Sequence, residues 1–336
     1  MIRRWIYSFV FLCGALVACN KEPQRIQEDL VEVTLELQTP DIVPVKSLIG
    51  DGSKAIELYY TAFLNGNPIE SLQRKATLEN GRYELTLTLV KNVAYDFIFW
   101  AQYPSAQSQI QLYDLSDFYT KGLVKVNYAV PANDDNRDAF FAQRTIDTAS
   151  PSPDLSPVLL KRPFAQVNFA ASDYDELKYM ELHTALKSGA VVYGLPDVLN
   201  CMDGSVSSSS ADGTYVDAGF LSAAVPSGEN EYVDVAGIKC GYVGMNYVLA
   251  SDVPGQLFEL KADFESGTSR WTTGVVENVP LKRNHRTYLY GKFFVDDVDL
   301  DILIVPAYED EDGNPNDDEI VEILGPKSCG ISGRVL

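Results

Sequence analysis

Few side chains in this 336-residue sequence are of a type and spacing that could do chemistry, and Cys19 is the clearest of them. It ends the run Leu16-Val17-Ala18-Cys19, which has the form of a lipobox. The thiol of such a cysteine takes a diacylglyceryl group, and the new N-terminal residue is then acylated again. Arg3 and Arg4 stand before an apolar stretch at residues 5–16, the grammar of a secretory signal. That stretch is shorter than the ~20 residues needed to span a bilayer. Two or more acyl chains, at ~0.8 kcal/mol per buried CH₂, give lasting attachment where one does not. The sequence therefore predicts a signal peptide over 1–18, lipidation at Cys19 and a polar tether over 19–29. The remaining chain lies beyond the inner membrane, with the lipid as its membrane partner.

Catalytic constellations are harder to assemble. A Ser-His-Asp hydrolase needs a histidine that can shuttle a proton. The two histidines are His183, between Leu182 and Thr184, and His285, in Lys282-Arg283-Asn284-His285-Arg286. Both read as structural positions, and no Gly-x-Ser-x-Gly elbow is present. No His or Cys pair has metal-ligand spacing, and no glycine-rich turn matches a phosphate fingerprint. Asp310, Asp312 and Asn314 mimic the start of a calcium loop, but Pro315 stands where that loop needs glycine, and no glutamate closes it. The expectation is a protein that is not an enzyme, with no cofactor and no metal. A net charge of -20 also argues against nucleic acid as a partner, because phosphate repels an acidic surface. Beyond the signal and the lipidated residue, Cys201, Cys240 and Cys329 remain. Three thiols allow one disulfide at most.

The elements that must position these residues are strands. Val31, Val33, Leu35 and Leu37 interleave with Glu32, Thr34, Glu36 and Gln38, the period-two pattern of a strand with one buried face. Residues 56–64, 83–89 and 95–99 continue the series, with turn chemistry at Asn65-Gly66 and Asn80-Gly81. Residues 114–157 change texture, with an Asn/Asp cluster and Pro151, Pro153 and Pro157, which reads as turn and linker. Alternation resumes at Val158 and Leu160 and, past Pro163, at Val167 and Phe169. Asp173 is placed to cap one helical turn. Further strands are expected at 190–193, 242–250, 257–264, 287–294 and 298–305. The predicted class is all-β, as two tandem sandwiches over 30–155 and 156–307, with an acidic tail over 308–336. Trp100, Tyr103, Tyr113, Phe118 and Tyr119 gather in one region, and Trp100 and Tyr103 are candidate glycan contacts if they face solvent.

Particular strings carry more than this pattern. They are Val33-Thr34-Leu35-Glu36-Leu37, Arg137-Asp138-Ala139-Phe140-Phe141 and Leu160-Lys161-Arg162-Pro163-Phe164-Ala165-Gln166-Val167-Asn168. Gly194-Leu195-Pro196-Asp197, Gly241-Tyr242-Val243-Gly244-Met245-Asn246-Tyr247-Val248-Leu249-Ala250 and Val279-Pro280-Leu281-Lys282-Arg283-Asn284-His285-Arg286-Thr287, leading into Tyr290-Gly291, complete the set. In order and spacing, over roughly 30–306, the chain resembles the fimbrillin group of Bacteroidales lipoproteins. These are the Mfa-like or type V pilins, which include a fimbrillin-like domain of unknown function.

The resemblance implies two transthyretin-like β-sandwiches on the outer membrane and cell surface or in a fimbrium, with other pilin subunits as partners. It further implies that a protease removes the first strand so that a strand from the next subunit can replace it, which is β-augmentation of an opened sheet. The removable strand would be Val31, Val33, Leu35 and Leu37 with their neighbours. The family's protease is arginine-specific, yet the loop over 39–50 holds Lys46 and no arginine. Either a different trypsin-like protease acts at Lys46, the candidate processing site, or the strand stays and the protein is an anchor, an accessory subunit or a monomeric surface lipoprotein. A donor strand could come from 319–324 or from 298–305. The expected function is a pilus subunit or fimbria-associated adhesin. The alternative is a monomeric outer-membrane lipoprotein that binds a glycan, and a host or bacterial surface glycan or protein would be the receptor.

Overall fold

The computed structural model describes residues 29–39, 52–253, 256–294, 299–306 and 321–328. Nearly all of the regular structure is β. In the first half, β1 (Leu30–Gln38), β2 (Glu57–Leu64), β3 (Arg82–Val90), β4 (Ala94–Gln102), β5 (Phe140–Asp147) and β6 (Val158–Leu159) form two facing sheets. One sheet has the order β6-β1-β3, with β1 antiparallel to β3 and parallel to β6. The other runs β2-β4-β5, antiparallel, with Asn67–Pro68 and Arg74–Thr77 on the outer edge of β2. Val33, Leu35 and Leu37 of β1, the leucines of β3, Leu58 and Tyr60 of β2, and Phe97 and Phe99 of β4 share one core.

The two sheets read differently in sequence for a physical reason. β1 and β3 keep one face in water and so alternate. β2 and β4 are covered on both faces, which erases the alternation. Ile98, Trp100 and Phe141, on the far side of that sheet, belong to a second, larger core.

The second core is built by β7 (Phe164–Ala171), β8 (Lys187–Leu195), β9 (Val216–Ala224), β10 (Ile238–Leu249), β11 (Leu257–Ser266), β12 (His285–Lys292) and β13 (Asp299–Pro306), and β14 (Val321–Ser328) pairs with β13. A six-stranded sheet has the order Tyr232–Val235, β10, β7, β12, β13, β14, with β7 and β12 parallel. It faces a sheet of β9, β8, β11 and Ser269–Thr272, with Val276–Pro280 also on β11. Phe169 of one sheet meets Phe264 of the other edge-on at 6.1 Å. A small sheet of Val206–Ser207, Val198–Asn200, Leu123–Val126 and Tyr113–Asp114 contributes Val124, Tyr113 and Leu199 to the same core as Trp100.

Two local expectations need correction. The segment over 114–157 is not linker throughout, because Leu123–Val126 and β5 lie within it. Their flanking Asn, Asp and Pro residues mark turns at the strand ends and not an unstructured stretch. Asp173 does precede the helix Tyr174–Tyr179, but its carboxylate makes no cap hydrogen bond. It accepts instead from the backbone N–H groups of Phe293 and Phe294, at 3.1 and 2.7 Å. Burial pushes this carboxyl above its ordinary range despite those two bonds.

Candidate functional site: the first strand and its groove

β1 is paired along its full length on one side only. Nine residue pairs join it to β3, from Leu30 opposite Val90 to Gln38 opposite Arg82. On the other edge only Leu37 and Gln38 reach β6, with a further bond from Leu160 N–H to the Gln38 carbonyl at 2.8 Å. From Leu30 to Glu36 that edge has no strand partner among the described residues. Its inward side chains are buried, with Leu35 and Leu37 both at 0% exposure. Its outward ones make little: Thr34 Oγ1 lies 3.2 Å from Thr86 Oγ1, and Arg82 bonds Glu36 across exposed surface at 3.2 Å. Exposed ion pairs of that kind contribute about 0–1 kcal/mol. Apolar burial and one ladder therefore hold the strand in place.

The far end of β1 rests on a hairpin turn. Asn80 and Gly81 both take positive φ, 51° and 75°, the two-residue turn that suits the twist of paired strands. The Gly81 carbonyl accepts from Thr39 N–H at 2.8 Å, which pins the last residue after β1 to the turn. Cys19 and Lys46, the predicted lipidation and processing residues, lie outside the described residues, as do Cys329 and the Asp310, Asp312, Asn314 set.

On the opposite side of the β2-β4 sheet, a cavity of about 460 Å³ opens beside Tyr59, Gln102, Tyr103, Ser105, Ile110 and Asp114. Of the two candidate glycan contacts, Tyr103 is half-buried on its wall. Trp100 cannot serve. It is fully buried, stacked edge-on against Tyr113 at 5.0 Å, and its indole N–H donates to Gln102 Oε1 at 2.7 Å. It faces the larger core because it sits one residue out of phase with Phe99 and Ala101, which face the first core. At the cavity rim, burial pushes the Glu57 carboxyl up, yet bonds from Lys75, Tyr59 and Ser105 outweigh burial and hold it below its ordinary range.

The strings noted in the sequence converge. Arg162 forms a two-pronged bond with Asp138, at 2.8 and 2.6 Å, both side chains being almost excluded from water. Its guanidinium lies 5.4 Å from the Tyr247 ring centroid. Asn284 N–H donates to the Phe164 carbonyl at 2.9 Å, and Arg283 reaches the Ala250 and Gly204 carbonyls at 3.1 and 2.6 Å. Asp138 and Arg162 lie where the chain passes between the cores, next to Ala139 and Phe140 and between Leu160 and Phe164, whereas Arg283 and Asn284 bond on the side of the larger one. His285 is buried, with Nδ1 2.7 Å from the Arg283 carbonyl, and His183 sits in a short 3₁₀ turn against Tyr174. Cys201 and Cys240 are buried free thiols, and burial pushes both up, Cys240 to about 11. Among the described residues, no three His, Cys, Asp or Glu side chains cluster as metal ligands. Among them, no helix is long and apolar enough to cross a membrane.

No curated protein matches the chain. Several solved structures are similar to it at low identity. The tip fimbrial protein Mfa3 from Porphyromonas gingivalis, with a C-terminal truncation, is 12% identical with a TM-score of 0.46, over 83% of this chain and 100% of that one. A fimbrial assembly protein from Parabacteroides distasonis is 10% identical with a TM-score of 0.41, over 83% of this chain and 97% of that one. The fimbrial anchor protein Mfa2 from Porphyromonas gingivalis is 11% identical with a TM-score of 0.39, over 83% of this chain and 100% of that one. The structural neighbours thus include Mfa-like fimbrial proteins. A family model matches residues 28–323, from just ahead of β1 into β14. The chain therefore belongs to the family of unknown function DUF6562.

Proposed function

We propose that this chain is a fimbrillin-like surface lipoprotein, a pilus subunit or fimbria-associated adhesin that assembles by β-strand donation. In this reading residues 1–18 are the export signal, and Cys19 carries the lipid. The tether over 19–29 then holds two tandem transthyretin-like sandwiches, 30–155 and 156–307, at the outer membrane, with the acidic tail beyond. Other pilin subunits are its partners.

The observation that carries the reading is the placement of β1. It fills an apolar groove and completes a sheet, yet only one full ladder and a two-residue contact join it to its neighbours. Burying Val33, Leu35 and Leu37 is worth roughly 5–9 kcal/mol, so a severed β1 leaves only when a similar strand replaces it. An emptied groove would expose the ladder groups of β3 and the apolar floor, and a donated strand would satisfy both at once. Lys46 is where a trypsin-like protease would sever the connection. Of the two C-terminal strands, β13 is paired on both sides, by β12 and β14, whereas β14 is outermost and can leave by breaking one ladder. Pro326 suits such an edge position, since proline cannot donate to a ladder.

Limited trypsin digestion of the full-length chain tests this. Trimming at Lys46 should be followed by SDS-resistant ladders, which Lys46→Gln abolishes and an excess of synthetic peptide 30–38 suppresses. A chain that is trimmed at Lys46 and stays monomeric at high concentration sinks the strand-exchange reading.

A further inference from the structure

The cavity beside Tyr103 lies on the face of the β2-β4 sheet turned away from β1, so strand exchange neither fills nor opens it. We infer that this cavity is a binding site for a neutral saccharide, with the Tyr103 ring as stacking platform and the Gln102 amide as its hydrogen-bond donor. At about 460 Å³ it falls in the roughly 300–1,000 Å³ range of small-molecule sites.

Gln102 is the pointer to a ligand. The Trp100 indole can only donate, so the atom it meets at 2.7 Å must be the Gln102 carbonyl oxygen, which fixes the amide's orientation. The NH₂ is left with no partner among the described residues, on a side chain that is 4% exposed and lines the cavity. The NH₂ opens onto the cavity, so a ligand oxygen can take the place of water on it and fix the ligand's orientation. Tyr103 adds the apolar half of the site. Its ring is half-buried, with no ring contact and no hydrogen bond among the described residues, so one face is available for the C–H surface of a sugar. Tyr59 is committed elsewhere, its hydroxyl on Glu57 at 2.7 Å and its ring under Lys75.

Charge selects the ligand class. The cavity wall carries neutral amides and hydroxyls and one carboxylate, Asp114, with no lysine or arginine. Hydrogen bonds from Ser116 hold the Asp114 carboxyl below its ordinary range, so it stays an acceptor at neutral pH. Phosphates and uronic acids would meet that carboxylate directly, and Lys125, the cation that acts on it, lies outside the wall. A ring with several hydroxyls offers the Gln102 NH₂ an acceptor, the Asp114 carboxylate a donor and Tyr103 a flat apolar face.

Saturation-transfer NMR on the full-length chain tests the site with glucose, galactose, mannose, N-acetylglucosamine and lactose, and with glucuronate and galacturonate as charged counterparts. At least one neutral sugar should bind saturably, and Tyr103→Ala and Gln102→Glu should each weaken it about tenfold. Gln102→Glu keeps the acceptor for Trp100 and removes the NH₂. Tyr179→Ala, on an exposed tyrosine far along the chain, should leave the affinity as it was. In the unmodified protein the bound sugar should shift the Gln102 side-chain amide resonances, a readout that needs no variant to fold. The site is refuted if no sugar of the panel binds below ~10 mM, if a uronate binds more tightly than its parent sugar, or if binding leaves the Gln102 amide signals unmoved.

Discussion

Asp138 and Arg162 show what individual residues do here. Their carboxylate and guanidinium meet in two short hydrogen bonds where water is almost absent, and the Tyr247 ring packs beside the cation. Removing one partner from such a pair leaves the other charge buried and uncompensated. Asp138→Asn should therefore lose about 3–5 kcal/mol of stability in urea unfolding, and adding Arg162→Met should recover a large part of that loss. A single variant within ~1 kcal/mol of the parent would mean that the pair is not what joins the two cores. The strings holding Asp138, Arg162 and Tyr247 stand out in the sequence, but their meeting does not. Asp138 and Arg162 are 24 residues apart, and no local pattern encodes a bond across that distance. Trp100 is a second case. Its apolar character is plain in the sequence, while its burial follows from a second layer packed on the far face of its sheet.

At the scale of elements, β1 is the strand on which the reading turns, and its hold depends on the turn below it. Gly81 has a φ of 75°, and the Cβ of an alanine there would press on Thr39 Oγ1. Gly81→Ala should cost more than about 1 kcal/mol, because the backbone is strained and the Thr39 bond to the turn is displaced. Amide hydrogen exchange resolves the two effects: Thr39 and the end of β1 should exchange faster, while β7 and β10 should not change. Exchange at Thr39 equal to that of the parent chain would detach β1 from the turn in this account. A close approach elsewhere sets a similar limit, since a Cβ at Gly241 would run into the Tyr174 ring that packs over β10. The strands themselves were largely legible. β1 and β3 are seen at nearly full length from alternation alone, and β5 and β9 are not, because turn residues crowd the ends of β5 and small residues dilute the pattern of β9.

For the molecule as a whole, the proposed anchor makes a direct prediction. Cys19→Ser should abolish acylation, so that the chain partitions into the aqueous phase of a detergent separation where the parent enters the detergent phase. A Cys19→Ser chain that still enters the detergent phase would remove the lipid from the proposal. With a net charge of -20, the released chain should remain soluble and self-repelling at neutral pH. The sequence alone determined the all-β class and the position of most long strands, the first one included. These follow from side-chain burial, which is written residue by residue in the alternation. Tertiary structure alone decided which strands flank β1, that the β2-β4 sheet is covered on both faces, that Trp100 is interior and that Gln102 keeps a free amide beside Tyr103. Each of those depends on which distant segments meet, and a period of two records that a residue is inside without recording what it is inside against.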